Sequence, residues 1–342
     1  VDSLEQVKEI MVMKEMKNPR KTFILNRGQY DQYGDRVYPN VLENILKFPD
    51  SLEKNRLGLA KWVTSKSNPL TARVAVNRYW KNLFGTGIVK TVEDFGNQGE
   101  MPSHPELLDW LATQFIESGW DVKKLIKLIV MSNTYQQSSI ASKALLKLDK
   151  MNRLLARGPS KRLSGEMLRN NILAASGLLN RKIGGRSVKP YQPEGLWKIN
   201  TGTYKTDKGD NLYRRSMYTI WKRSVPHPTI ATFDAPTRSF CSVRRQDTNT
   251  PLQALVMMND PIYVEASRVL GYVMIGFDDP KAGISDVFKR LTGRSIKKEE
   301  LNLLLDLRSS EYEKFKTREY KTKGWLNTGE FRILKYKNKA MV

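Results

Sequence analysis

The stretch NPLTARVAVNRYWKNLFG, residues 68–85, carries the clearest helical signal in the sequence. Asn68 is a favourable N-cap residue, and Pro69 suits the first turn of a helix because its missing N–H would have no partner there. Gly85 is a typical residue just after a helix end. We therefore predict a helix that begins at Pro69 and ends before Gly85.

Helical patterns continue on the C-terminal side of this stretch. Residues 103–106, Ser-His-Pro-Glu, fit a capping box, and the apolar residues that follow repeat every three or four positions. Asp121 and Ser160 are further N-cap candidates, the second for a helix from Leu163 to Gly177. Four more helices are predicted near residues 251–258, 261–275, 285–292 and 299–307.

Strand signals are few in comparison. Short apolar stretches between turn residues in residues 1–50 indicate one or two strands and an extended arm, and residues 213–221 are rich in aromatic and β-branched side chains. Residues 184–210 are rich in Gly and Pro without a helical period, which predicts a long loop. The predicted fold is mainly α, an irregular multi-helix body with a minor β component and long loops.

The length of 342 residues is enough for one large domain or two ordinary ones. We predict an N-terminal arm over residues 1–52, as the end of a preceding domain. A helix-rich domain follows over residues 53–342, and we expect its C-terminal end to be truncated. The long loop at residues 184–210 is the expected place for a boundary or a functional surface.

The composition excludes several classes of protein. A single Cys and two His leave no internal disulfide, no Cys-based zinc site and no multi-His metal centre. The longest nearly unbroken apolar run, residues 269–277, is far shorter than the about 20 residues of a membrane span. The sequence has no Walker, Rossmann or nucleophile-elbow pattern. We expect this chain to bind no metal and no cofactor of its own.

The net charge is +23, from 58 Lys and Arg against 35 Asp and Glu. Residues 141–223 alone hold 19 basic and 5 acidic side chains, a balance of +14. Aromatic residues interleave with this basic segment, among them Tyr191, Trp197, Tyr204 and Tyr213. This pattern suits an anionic polymer as partner. No nucleic-acid module matches the sequence, so nucleic acid is the less favoured polymer.

The predicted helix at residues 69–84 mixes polar and aromatic side chains on one face. Arg73, Asn77 and Trp80 are spaced three or four residues apart and share that face. Arg73 and Asn77 either bind an anionic or hydroxyl-bearing group with Trp80 stacking beside it, or they tie neighbouring loops to the helix through backbone carbonyls. Both interpretations remain open.

Carboxylates and a histidine lie close together in the next segment. Asp94, His104 and Asp109 are the candidate catalytic residues, because a histidine near carboxylates is a combination used in general acid–base catalysis. The alternative is structural, since His104 and Glu106 both belong to the predicted capping box.

Two adjacent arginines form the best single candidate for a ligand site. Arg244 and Arg245 precede the predicted helix at residue 251. Their guanidinium groups and the free backbone N–H groups of the helix start favour the binding of an anion. Asp247 either belongs to this site or neutralises one of the arginines. Another charged group, Glu166 with Arg169, shares one helix face, and a structural ion pair is the expected arrangement there.

Several ordered strings resemble the planctomycete-specific domain family of unknown function, domain of unknown function 1553. They are the stretch quoted above, EDFG at 93–96, PSHPELLDWLA at 102–112, RLSGEMLR at 162–169, RR at 244–245 with NTPLQAL at 249–255, and MNDP at 258–261. The resemblance extends from about residue 55 to residue 268. Family members commonly have Arg-Asp where this chain has Arg169 and Asn170, which weakens any proton-transfer role at that position.

The resemblance implies a cellular location and adjacent domains, but no activity. It implies the C-terminal part of an exported planctomycete multidomain protein of the cytochrome-c type, located in the periplasm or outside the cell. Any c-type haem would belong to a separate module, and other domains of the same polypeptide are the implied partners. We see no signal peptide in this chain and expect one, if present, to lie outside it.

The preferred functional hypothesis is a domain that binds an anionic polymer, such as an acidic or sulfated glycan, through the basic segment. One alternative is a hydrolase-type enzyme that uses Asp94 and His104, with Arg244 and Arg245 as an anion clamp. The other alternative is nucleic-acid binding. Whether the chain is an enzyme remains open from the sequence.

Overall fold

The computed structural model describes residues 10–200 and 202–332. Within these ranges it contains thirteen α-helices and one two-stranded sheet, which confirms the prediction of a mainly α fold with a minor β component. The chain forms two compact units, Val1–Lys161 and Arg162–Val342. Residues 10–52 of the predicted arm at residues 1–52 are part of the first unit, and the role of the arm as the end of a preceding domain stays a prediction.

The first unit begins with a β-hairpin and continues as helices. Strand β1 (Thr22–Leu25) pairs antiparallel with β2 (Tyr33–Val37). The helices are α1 (Arg56–Val63), α2 (Thr71–Phe84), α3 (Pro105–Glu117), α4 (Val122–Val130), α5 (Asn133–Gln136) and α6 (Lys143–Leu148). The sequence prediction does not include α1.

The core of the first unit lies where α2, α3 and α4 pack together. Its most buried side chains include Val76, Leu111 and Ile129, one from each helix. Each helix contributes an apolar stripe to this cluster, as expected for amphipathic helices. The first unit therefore has a hydrophobic core of its own.

Two helix starts in the first unit differ from the prediction. The Asn68 carboxamide oxygen accepts hydrogen bonds from two backbone N–H groups at 3.0 and 3.2 Å, but the helix itself begins two residues beyond the predicted Pro69. The predicted capping box around Ser103 is wrong. The Ser103 N–H and hydroxyl groups donate to the Ile88 carbonyl at 3.0 and 3.3 Å, and His104 is the N-cap of α3 without a side-chain bond.

The second unit contains the remaining seven helices of the described part. They are α7 (Gly165–Ser176), α8 (Pro228–Thr232), α9 (Pro251–Asn259), α10 (Pro261–Met274), α11 (Pro280–Thr292), α12 (Lys298–Thr317) and α13 (Glu319–Leu326). The four helices predicted after residue 250 are present, although α11 and α12 are longer than predicted. The predicted cap at Ser160 is wrong, because Ser164 caps α7 by accepting a hydrogen bond from the Met167 N–H at 3.3 Å.

Helix α10 is buried along most of its length, and α7 and α11 pack against it. Leu173 of α7 and Leu270 of α10 are among the buried apolar side chains. The second unit therefore also has its own core. None of the helices in the described ranges is long and apolar enough to cross a bilayer.

Residues 213–221 do not form the predicted strand. They form a 3-10 turn, Ser216–Tyr218, and isolated bridges in place of a sheet. Arg169 of α7 donates to the carbonyl oxygens of Leu212 and Arg214 at 2.7 and 2.8 Å. The Arg169 side chain therefore satisfies the Arg214 carbonyl, a backbone group that a strand ladder would otherwise use.

Candidate anion-binding site

The loop at residues 184–210 is fixed by hydrogen bonds to other segments of the second unit. The Val188 N–H donates to the Tyr218 carbonyl and its own carbonyl accepts from the Ile220 N–H, both at 2.8 Å. The Lys189 N–H donates to the Asp207 carboxylate at 2.8 Å, and the Asp207 N–H donates back to the Lys189 carbonyl at 2.9 Å. These bonds give Lys189 a defined position within the predicted loop.

Buried polar side chains also support the loop. His227 Nε2 lies 2.9 Å from the Tyr191 carbonyl oxygen, which can only accept, so Nε2 carries the proton. Burial lowers the pKa of His227 to about 4, against the opposing effect of the Asp260 carboxylate, and the imidazole is therefore neutral at pH 7. The Tyr204 hydroxyl donates to the Pro190 carbonyl at 2.5 Å.

A buried arginine holds the segment that follows the loop. Arg169 is 1% exposed and directs its guanidinium to the two carbonyl oxygens described above. Burial lowers its pKa to about 10, so the group stays charged at pH 7. The neighbouring Asn170 accepts a hydrogen bond from the Ser216 N–H at 2.8 Å. The expected ion pair of Arg169 with Glu166 is wrong, because Glu166 binds Arg245.

Two lysine ammonium groups lie over one tryptophan ring of the loop. Lys189 Nζ is 5.4 Å and Lys222 Nζ is 4.6 Å from the centroid of the Trp197 ring. Tyr204 packs edge-on against the same ring, with 5.1 Å between centroids. All four residues are half-buried. A ring face attracts a cation within about 6 Å, so the two aromatic side chains position both charges.

Neither ammonium group has a hydrogen bond or an ion pair with any residue that the structure describes. The Asp207 carboxylate is occupied by Arg186 at 3.0 Å and by the Lys189 backbone N–H. Two like charges beside one ring repel each other, and the ring carries no net charge to neutralise them. A carboxylate or sulfate group is a suitable hydrogen-bond acceptor for a lysine ammonium group. The backbone at Gly202 belongs to this site, because a Cβ there would come within 3.1 Å of Lys222 Nζ.

The two arginines predicted as an anion site are partly engaged by protein groups. Arg245 forms a two-pronged ion pair with Glu166 at 2.8 and 3.0 Å. Burial raises the pKa of Glu166 and the Arg245 guanidinium lowers it, with a net lowering. Arg244 and Arg245 both line a cleft of about 470 Å³, while Asp247 is exposed and does not line it. Anion binding at these residues stays a prediction.

The polar and aromatic face of α2 makes structural contacts. The Asn77 carboxamide donates to the Val89 carbonyl and accepts from the Val89 N–H, both at 2.9 Å. Trp80 is 5% exposed and stacks on the next aromatic ring of α2. Arg73 Nε donates to Asp109 at 2.6 Å. These contacts support the structural interpretation of the face, and ligand binding by it stays a prediction.

The three candidate catalytic residues have separate local partners. Asp94 accepts a backbone N–H two residues further along at 2.7 Å, and His104 Nδ1 lies 3.0 Å from the preceding serine hydroxyl. A hydrogen bond from Arg73 lowers the pKa of Asp109. No hydrogen bond or ion pair joins these three residues to one another within the described ranges, which also hold no metal-binding group of three His, Cys, Asp or Glu. The arginines of the predicted clamp belong to the second unit.

Comparison with known families gives a match over residues 55–308, about three quarters of the chain, to PSD1, a protein of unknown function (DUF1553). The chain belongs to this family. The matched range includes Lys189, Trp197 and Lys222, so the candidate site lies within the family domain. No curated protein and no solved structure matches the chain.

Sequence reasoning identifies only part of the candidate site. The interleaving of basic and aromatic residues points to Trp197 and Tyr204, but it does not single out Lys189 and Lys222. Both lysines lie over the Trp197 ring. Val188, next to Lys189, bridges to Thr219 of the following segment, and no local pattern encodes such a pairing. The alternation of Lys with aromatic residues is the one signal in the sequence that points in this direction.

Proposed function

We propose that the second unit binds an acidic or sulfated glycan through the ammonium groups of Lys189 and Lys222. The observation that carries the proposal is that both groups lie over the Trp197 ring with no anionic partner among the described residues. Exposed basic side chains of the same segment, such as Lys182 and Lys205, extend the positive surface toward further repeating units of a polymer. The contacts that fix the loop also hold the two charges in place before a ligand arrives, which lowers the entropic cost of binding.

A glycan is favoured over nucleic acid for two reasons. Single-stranded nucleic acid binds through bases stacked on open aromatic faces, whereas the Trp197 ring already contacts two ammonium groups and Tyr204. The family resemblance in addition implies an exported protein, in the periplasm or outside the cell, where acidic polysaccharides are accessible. Under this proposal the chain is part of a planctomycete multidomain protein whose other domains, a cytochrome-c-like module with its own haem among them, are its covalent neighbours.

The test compares two double variants of equal charge. Lys189→Gln with Lys222→Gln removes the paired ammonium groups, and Lys143→Gln with Lys147→Gln removes two exposed charges from α6 in the same basic segment. Binding of a sulfated octasaccharide is measured by calorimetry at about 50 and 200 mM salt, where counterion effects are large. We expect the first variant to bind about tenfold more weakly than the wild type and the second to change by less than about twofold.

Equal losses in the two variants would show that only net charge matters and would contradict the site. Absence of binding by the wild type at low salt would contradict the function. A single-stranded DNA of matched charge serves as the second ligand. If the DNA binds more tightly than the octasaccharide and depends on Lys189 and Lys222 in the same way, nucleic acid replaces glycan as the ligand.

A further inference from the structure

We infer that the first unit binds an amphiphile with an acyl chain and an anionic head, in an apolar cleft beside α3 and α4. The cleft has a volume of about 550 Å³, which is within the roughly 300–1,000 Å³ of small-molecule sites. It lies wholly within the first unit and shares no residue with the glycan site. The inference therefore does not depend on the proposed function.

The lining of the cleft joins the core of the unit to its surface. Trp80, Leu111 and Ile129 are at most 5% exposed and contribute core side chains to it. Trp110 and Met131 also line it and are 50% and 62% exposed. Large apolar side chains that converge on one concavity and leave about half of their surface in water are typical of a binding site. An acyl chain in the cleft would cover these exposed side chains.

Two lysines line the cleft and favour a ligand with an anionic head. Lys124 and Lys127, three residues apart on α4, both line the cleft. The Asp121 carboxylate accepts the backbone N–H of Lys124 as the N-cap of α4, and neither ammonium group has an ion pair or hydrogen bond with a described residue. Lysine stems can pack along apolar surface while the ammonium groups stay in water. A carboxylate or phosphate head beside these lysines would therefore meet positive charge.

A chain-length series and a head-group series test the inference on the full chain. Dodecanoate, dodecanol and dodecyltrimethylammonium are titrated below their micelle concentrations, with binding followed by calorimetry. We expect saturable one-to-one binding of dodecanoate, and each methylene removed from the chain should weaken binding about fourfold. The cationic analogue should bind at least about tenfold more weakly than dodecanoate, because its head repels Lys124 and Lys127.

Variants of α4 distinguish the contribution of the ligand's head group to binding from that of its acyl chain. Lys124→Gln with Lys127→Gln should weaken dodecanoate about tenfold and change dodecanol less than about twofold. Lys123→Gln is the control for the loss of one charge on this helix, because Lys123 is exposed and does not line the cleft. Leu128→Trp, a change in the cleft wall at a residue that is 40% exposed, should block all three ligands while the thermal melt stays close to that of the wild type.

Four results would overturn the inference. The first is no saturable binding of dodecanoate. The second is equal binding of the anionic and cationic analogues. The third is a chain that sediments with anionic phospholipid vesicles but does not bind free dodecanoate, which would make the cleft a membrane contact. The fourth is a wild type that dimerises and a Leu128→Trp variant that does not, which would make a second copy the occupant.

Discussion

At the scale of single residues, the second unit places ionisable side chains where apolar ones are the rule. Arg169, His227 and Glu265 are each at most 5% exposed. Each of them bonds to the backbone of a segment without regular secondary structure, Glu265 through the Phe331 N–H at 2.6 Å. Buried polar side chains therefore take the place of a strand ladder in satisfying the backbone of these segments.

His227 leads to a prediction about pH. Its pKa in the folded chain is about 4, below its ordinary value of 6.5, because burial disfavours the charged form. Between these two pH values the unfolded chain binds more protons than the folded chain, so stability falls as the pH drops from about 6.5 to about 4. The loss from this group is on the order of 3 kcal/mol, since a pKa difference of one corresponds to about 1.4 kcal/mol. Above pH 7 the contribution does not change.

The measurement is the free energy of unfolding in urea from pH 4 to pH 8 for the wild type and for His227→Gln. Other groups titrate in the same range, so the quantity of interest is the difference between the two curves. We expect that difference to depend on pH below about 6.5 for His227→Gln. Parallel curves for His227→Gln would contradict the buried neutral imidazole.

At the scale of elements, the sequence predicts helices well where the signal is local. Thr250 and Asp260 precede α9 and α10 with Pro at the next position, and both helices begin where these residues predict. Prediction fails where a distant group changes the local preference. Ser103 bonds to Ile88 and does not cap α3, and Arg169 donates to the Arg214 carbonyl within the predicted strand. The candidate site follows the same rule, because its aromatic half is visible in the composition and no local pattern pairs its two lysines.

The contrast between a core helix and the loop can be measured with two truncations. Phe115 of α3 is 4% exposed and packs on Trp120, so Phe115→Ala should cost about 3–5 kcal/mol of stability. Trp197 is half-buried in the loop and its ring mainly positions Lys189 and Lys222, so Trp197→Ala should cost less than about 2 kcal/mol. The same loop variant should lose most of its octasaccharide binding, because the ring that positions the lysines is gone.

Thermal melts and calorimetry of both variants decide the question. Comparable large stability losses would mean that the loop is part of the core of the second unit. Unchanged octasaccharide binding in Trp197→Ala, together with normal folding, would mean that the aromatic ring does not position the lysines. We expect Phe115→Ala to lose stability but keep octasaccharide binding. We expect Trp197→Ala to lose most of its octasaccharide binding with the smaller loss of stability.

At the scale of the whole molecule, the chain has two units with separate cores and two proposed sites of different chemistry. The core of the first unit centres on α2, α3 and α4, and that of the second includes α7, α10 and α11. The proposed amphiphile cleft belongs to the first unit and the proposed glycan site to the second. A ligand that binds only the folded form of one unit stabilises that unit by an amount set by its concentration and dissociation constant.

This arrangement predicts that the two ligands act on different thermal transitions of the full chain. At a hundredfold excess over its dissociation constant, each ligand should stabilise its own unit by about 2.7 kcal/mol, which raises the midpoint of that transition by roughly 2–8 °C. In calorimetric scans, the octasaccharide should therefore shift the transition of the second unit and dodecanoate that of the first. The two ligands together should shift both transitions. Phe115→Ala identifies the transition of the first unit, because it lowers that midpoint through a residue in the core of that unit alone. A single cooperative transition that moves with either ligand would contradict independent cores. A dodecanoate shift confined to the transition that Phe115→Ala leaves unchanged would place the amphiphile in the second unit and contradict the inference.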